Sequence, residues 1–138
     1  MTWLIYAFVS AVTAAATAIL AKVGVEGVPS TLATAFRTTV VLIIAWGLVL
    51  ALGERHALMS MPRRSWIFLS LSGVATGLSW LAYFRALQLG PASRVAPIDK
   101  LSLPLTIVLA AVVLGEPIGW KTAVGVAMMT AGALLTIL

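Results

Sequence analysis

The stretch Arg94–Glu116, RVAPIDKLSLPLTIVLAAVVLGE, decides how the whole chain is read. From Val95 to Gly115 it is apolar enough to be a membrane helix, yet Asp99 and Lys100 stand side by side inside it, bracketed by Pro97 and Pro104. An ion pair and two prolines are poor material for a plain anchor. A charge facing the bilayer centre costs roughly 2.5 kcal/mol or more, and proline removes a backbone donor from the helical ladder. The segment therefore reads as a helix whose polar side meets protein or water rather than lipid.

The rest of the chain carries the same signature. Of its 138 residues 62% are hydrophobic and 9% charged, and the mean hydropathy is +1.11. Soluble domains carry about 25% charged residues, so this composition excludes a water-soluble globule and indicates a polytopic membrane protein. With no cysteine, neither disulfides nor thiolate metal sites are available. The lone His56 cannot build a multi-histidine site, and no metal or other cofactor is expected. The net charge of +5 comes from basic residues scattered through apolar sequence, which reads as membrane-flanking charge and not as a nucleic-acid surface. The apolar run 3–21 has no basic region before it and is about as long as the roughly 20 residues a span requires. It is taken as the first helix of the mature protein and not as a signal peptide.

Five apolar segments appear, at about 3–21, 31–52, 66–89, 94–114 and 118–138. Connections between them are short, so sequential helices are expected to be antiparallel neighbours. The expected fold is an all-α membrane protein, a bundle of five transmembrane helices forming one domain over residues 1–138. Ser30 or Thr31 is expected to cap the second helix. Small residues recur at four-residue spacing: Ser10, Ala14 and Ala18 in the first segment, Gly73 and Gly77 in the third, and Gly119, Ala123, Ala127 and Ala131 in the fifth. Such ridges let helix backbones approach, and the fifth segment is the better candidate for a subunit interface.

Polar residues fall into stripes. Ser72, Thr76, Ser79 and Tyr83 follow helical spacing in the third segment with Trp80 beside them, and Asp99, Ser102 and Thr106 share a face in the fourth. Helix–helix hydrogen bonding or a water-filled cavity both account for hydroxyls; the nearby charges favour the cavity. With the loop carrying Arg55, Arg63 and Arg64 placed in the cytoplasm, Arg37 and the Asp99–Lys100 pair lie about six residues into segments that enter from the opposite face. That is one depth, roughly 9 Å at 1.5 Å per residue, and Arg85 points to the same side. A charged layer with an Arg37–Asp99 pair is expected there, either as a salt bridge that orients two helices or as part of ligand binding or gating. Basic residues divide almost evenly, with Arg55, Arg63, Arg64 and Lys121 on one face and Lys22, Arg37, Arg85, Arg94 and Lys100 on the other. Balanced flanks permit insertion both ways up, and five helices put the termini on opposite faces, as pairing with an inverted second copy requires.

The stretch from Tyr83 to Leu138, YFRALQLGPASRVAPIDKLSLPLTIVLAAVVLGEPIGWKTAVGVAMMTAGALLTIL, resembles the EamA domain of the drug/metabolite transporter superfamily. The resemblance rests on Tyr83-x-x-Ala86-Leu87, the Pro91-Ala92-Ser93 turn, a proline-containing fourth helix, Leu114-Gly115-Glu116 and a glycine-rich final helix. Arg37 in ATAFRTT matches an arginine that family members commonly carry in helix two, and the likeness covers essentially the whole chain. It resembles the short, single-domain, five-helix members. The resemblance implies a half-transporter that pairs with an inverted copy as an antiparallel homodimer, with a substrate cavity between the repeats and alternating access. The related small multidrug exporters use a membrane-embedded glutamate in their first helix; here that helix contains no acid.

Arg37, Ser72, Thr76, Trp80, Tyr83, Asp99, Lys100 and Ser102 are the expected substrate-binding residues, with Arg37 and Lys100 suited to an anionic group on an amino acid or other small metabolite. Pro97 and Pro104 are expected in gating or structural roles as hinges or tolerated kinks, and Glu116 as the cap of the last helix. The function expected is export of a small solute across the inner cell membrane, with the lipid bilayer and a second copy as partners. A non-transporting scaffold, or a subunit of a larger transporter or flippase assembly, is the alternative. No nucleophile–base or metal constellation supports an enzyme.

Overall fold

The computed structural model describes residues 2–138. Its elements are α1 (Thr2–Gly24), α2 (Ser30–Ala51), α3 (Arg55–Met59), α4 (Arg63–Leu89), α5 (Ala92–Asp99), α6 (Ser102–Leu114) and α7 (Trp120–Leu135), with no strand among the described residues. In hydrocarbon every backbone N–H and C=O needs an internal partner, and a helix supplies them within one segment. Four stretches are long and apolar enough to cross a membrane: α1, α2, α4, and the path Ala92–Leu114 that α5 and α6 share. Large apolar side chains along them are mostly exposed, as surfaces facing lipid would be.

The fifth apolar segment forms a shorter helix. The 16 residues of α7 rise ~24 Å, less than the ~30 Å of a hydrocarbon core. Its start is delayed because Gly115, at φ 69°, ends α6 in the left-handed region that glycine adopts without strain. The chain then runs non-helical through Pro117 to an extended Gly119.

The path expected to be one fourth helix is divided between α5 and α6. Pro104 has no N–H to bond the carbonyl of Lys100, four residues earlier, and its ring crowds that carbonyl. Tighter turns take over: Leu103 N–H donates to the Lys100 carbonyl at 3.0 Å and Leu101 N–H to the Ile98 carbonyl at 3.0 Å. Pro97 lies inside α5 without ending it, and Pro104 is buried. The start of α4 is also earlier than expected, at Arg63 directly after Pro62. Pro29, rather than Ser30 or Thr31, holds the N-cap position of α2, and no side chain bonds that cap.

The chain divides into two compact units. Residues 20–88 form one, containing the end of α1 together with α2, α3 and α4. Its buried residues gather where α1 ends, α2 begins and α4 ends: Val25, Thr34, Phe84 and Leu87, the last with no exposed surface. Polar side chains close this end. The last carbonyls of a helix have no intrahelical partner, and Lys22 Nζ donates to one of them, the Leu87 carbonyl, at 2.6 Å. Gln88 Nε2 donates to the Val28 carbonyl at 2.5 Å, fixing the α1–α2 loop, and Arg85 donates to Gln88 Oε1 at 3.2 Å.

Residues 2–19 and 89–138 form the other unit, in which α7 packs against α5 and α6. The less exposed face of α7 carries Gly125, Val126, Thr130 and the buried Ala133. The ridge Gly119–Ala123–Ala127–Ala131 is exposed. In α4 nothing lies within 4 Å of where a Cβ on Gly73 or Gly77 would stand, so that pair admits no close backbone neighbour within the chain.

Replacing Lys22 with Met keeps an unbranched apolar stem and removes the donor to the Leu87 carbonyl. A hydrogen bond from a charged group contributes about 1.5–3 kcal/mol, and Lys22→Met is expected to lower unfolding stability in bicelles by about that amount. A variant as stable as wild type would show that the contact contributes nothing.

Candidate functional site

Arg37 is the eighth residue of α2, so its Cα lies ~10 Å along the helix. It is half-buried. One turn earlier, buried Thr34 lets α2 approach its neighbour with a small side chain, and its hydroxyl donates to the Ser30 carbonyl at 2.8 Å. Thr38 does the same to the Thr34 carbonyl at 2.7 Å. These hydroxyls are satisfied within their own helix and make no demand on the guanidinium.

The partners of Arg37 are aromatic. Its Cζ lies 4.3 Å from the centroid of the Trp80 ring and 5.5 Å from that of Phe84. Trp80 and Phe84 are four residues apart on α4, a spacing that stacks side chains on one helix face. Tyr83 meets Phe84 edge to face, with centroids 6.4 Å apart and planes at 81°. The guanidinium is held by ring faces, which attract a cation through their quadrupole.

Neither an ion pair nor a hydrogen bond engages Arg37 among the described residues, and no buried side-chain nitrogen or oxygen lacks a partner. Its N–H groups are therefore reachable from outside the protein. Ser72 and Thr76 continue along α4 at the same four-residue spacing, with the Thr76 hydroxyl donating to the Ser72 carbonyl at 2.9 Å. Both are exposed.

The remaining expected site residues lie in the other unit. Asp99 Oδ2 meets Lys100 Nζ at 3.5 Å, the one ion pair among the described residues. Within its own unit the carboxylate answers to its neighbour, as the guanidinium answers to aromatic rings within the other. The Asp–Lys pair stands at the α5–α6 break. Lys100 is the C-cap of α5, where a cation suits the negative helix end, and Asp99 lies just before the positive end of α6. Ser102 is the first residue of α6, and its carbonyl accepts from the Thr106 hydroxyl at 2.8 Å. Glu116 does not hold the N-cap of α7; Gly119 does, with no side-chain cap bond. The backbone N–H of Glu116 instead closes the end of α6 on the Ala110 carbonyl at 3.3 Å.

Three residues that matter here escape a reading by stripes of polar residues. Phe84 is apolar and was visible only as the residue four beyond Trp80. Lys22 was read only as a flanking charge, although a basic side chain in the last turn of α1 is a recognised helix-end signal, and Gln88 carried no signal in the sequence.

Two comparisons with known proteins bear on the function. The family described as the EamA-like transporter family matches residues 1–138. A protein of Sinorhizobium sp named "Uncharacterized transporter in cobO 3'region" is 49% identical over 133 residues, covering 96% of this chain and 94% of that protein. No solved structure matches the chain.

A double-mutant cycle with Arg37→Gln and Trp80→Leu measures the stack directly. Coupling of about 0.5–2 kcal/mol is expected from unfolding stabilities. Strictly additive effects would mean that the ring and the guanidinium do not interact.

Proposed function

Because the chain belongs to the EamA-like transporter family and is a multi-pass membrane transporter, we propose that it exports a small metabolite or amino-acid-like solute across the inner cell membrane by alternating access. One observation carries this reading: a guanidinium lies eight residues into a membrane-crossing helix, cradled by Trp80 and Phe84, with its N–H donors uncommitted. A purely structural arginine at that depth would be expected to bond to a carboxylate or to backbone carbonyls. Ser72, Thr76, Trp80 and Tyr83 along α4 are proposed to line the solute path with Arg37. Asp99, Lys100 and Ser102, at the α5–α6 break, are proposed as solute-binding residues of the other unit. Discontinuous membrane helices of this kind form solute and ion sites in other transporters, and Pro97 and Pro104 would give the break its hinge.

One repeat offers few walls for a solute that must be exposed alternately to two sides. The working form proposed is an inverted homodimer in which α7 completes five spans per subunit. Two features support it. Basic residues divide four to five between the expected faces, which permits both orientations, and the small-residue ridge of α7 is exposed.

Orientation and flux are measured separately. A cysteine introduced at the exposed Ser60, in the loop between α2 and α4, is expected to give one labelled and one protected population in intact cells. A single orientation at every expression level overturns the inverted dimer. In vesicles, purified protein is expected to move at least one radiolabelled amino acid or small organic acid, with flux reduced about tenfold or more by Arg37→Gln, the equivalent of about 1.4 kcal/mol of lost binding. Flux indifferent to this change removes Arg37 from the solute site.

A further inference from the structure

Resting on the transport reading above, we infer that the solute carries a carboxylate, and that Arg37 takes it edge-on while its face remains stacked on Trp80. A guanidinium offers two kinds of surface. Its faces engage π-systems, and its rim carries five N–H donors in a plane. Here Cζ lies over rings at 4.3 and 5.5 Å, and no hydrogen bond or ion pair engages the N–H rim among the described residues. The hydroxyls nearest along α2, those of Thr34 and Thr38, donate to backbone carbonyls of their own helix. The acidic residues of its own unit, Glu26 and Glu54, make no ion pair with Arg37. Contact with the two rings restrains the guanidinium, so two parallel N–H···O bonds would form with less loss of side-chain freedom than a lysine would incur.

Charge balance narrows the anion further. Arg37 is the one charged residue in the stack with Trp80 and Phe84, and no ion pair among the described residues compensates it. A monoanionic carboxylate neutralises it. A phosphate dianion would bring one negative charge too many into an apolar segment, and a cationic solute would add a second positive one; both are disfavoured where water is scarce. The site so defined selects for acids and zwitterions with a carboxylate, and against their amides, organic cations and phosphate esters.

The test uses the full chain purified in detergent, with acetate, butyrate and L-leucine as probes, each set against its carboxamide at constant ionic strength. Thermal stability is read as a function of probe concentration. The acids are expected to raise Tm in a saturable manner while the amides do not, with inorganic phosphate weaker than the best carboxylate. Arg37→Lys, which keeps the charge and loses the fork, is expected to weaken the apparent Kd by about tenfold or more. Equal shifts from acids and amides, phosphate binding tighter than every carboxylate, wild-type affinity in Arg37→Lys, or no acid-dependent shift at all would overturn the inference. The comparison of acid with amide needs no variant, so it stands even if Arg37→Lys fails to fold. The readout is binding and not flux. Carboxylate binding without transport contradicts the transport reading alone, and transport of neutral solutes without carboxylate binding contradicts this inference alone.

Discussion

A permanently charged guanidinium placed at the centre of a membrane helix costs about 2.5–3.5 kcal/mol on an insertion scale, less towards the interface. Contact with an aromatic face offsets about 0.5–2 kcal/mol of that. Arg37 is the eighth residue of α2, between interface and centre, and lies on Trp80 with Phe84 beside it. The two magnitudes are close enough that the charge is tolerable but not satisfied, as the proposed solute site requires. A carboxylate in permanent contact would have fixed the α2–α4 geometry and left nothing to offer a solute.

The surroundings serve that arrangement. The buried residues of the 20–88 unit gather at one end, where Phe84 and Leu87 of α4 meet Val25 and Thr34. The bonds from Lys22 to the Leu87 carbonyl and from Gln88 to the Val28 carbonyl tie that end shut. They pin the register of α4, and with it the position of Trp80 two turns back. In the other unit the backbone is deliberately interrupted. Pro104 denies the Lys100 carbonyl its usual donor, and Asp99 and Lys100 stand together at the end of α5. The ion pair and Pro104, which look out of place in an apolar stretch, meet at that break: the proline interrupts the helix, and Lys100 complements the negative end of α5.

Hydropathy and helical spacing made most of the fold legible, because in lipid the backbone has few alternatives to a helix. Family membership was legible in scattered motifs from Arg37 to the glycine-rich final segment. What spacing alone could not convey was which residue answers which charge. Arg37 and Asp99 lie at matching distances from their helix starts and carry opposite signs, so a salt bridge was the natural expectation; within its own unit each has another partner, Trp80 for one and Lys100 for the other. A hydropathy profile also cannot see a missing N–H, so the division at Pro104 was read as one continuous helix. The last segment, at about 118–138, looked long enough to span because it is apolar throughout except for Lys121 and a few small polar residues, although its helix runs only from Trp120 to Leu135.

The central claim is that Arg37 is stacked on Trp80 with its rim open. NMR of the chain in nanodiscs, with arginine side chains labelled with ¹⁵N, measures both halves in one experiment. The account predicts an Arg37 Nε–H resonance shifted upfield by the indole ring current. That shift should disappear in Trp80→Leu, and the same resonance should move downfield on addition of acetate but not acetamide. An Arg37 signal at the ordinary position, unaffected by removal of Trp80, would contradict the stack; one that is stacked but indifferent to acetate would contradict the open rim.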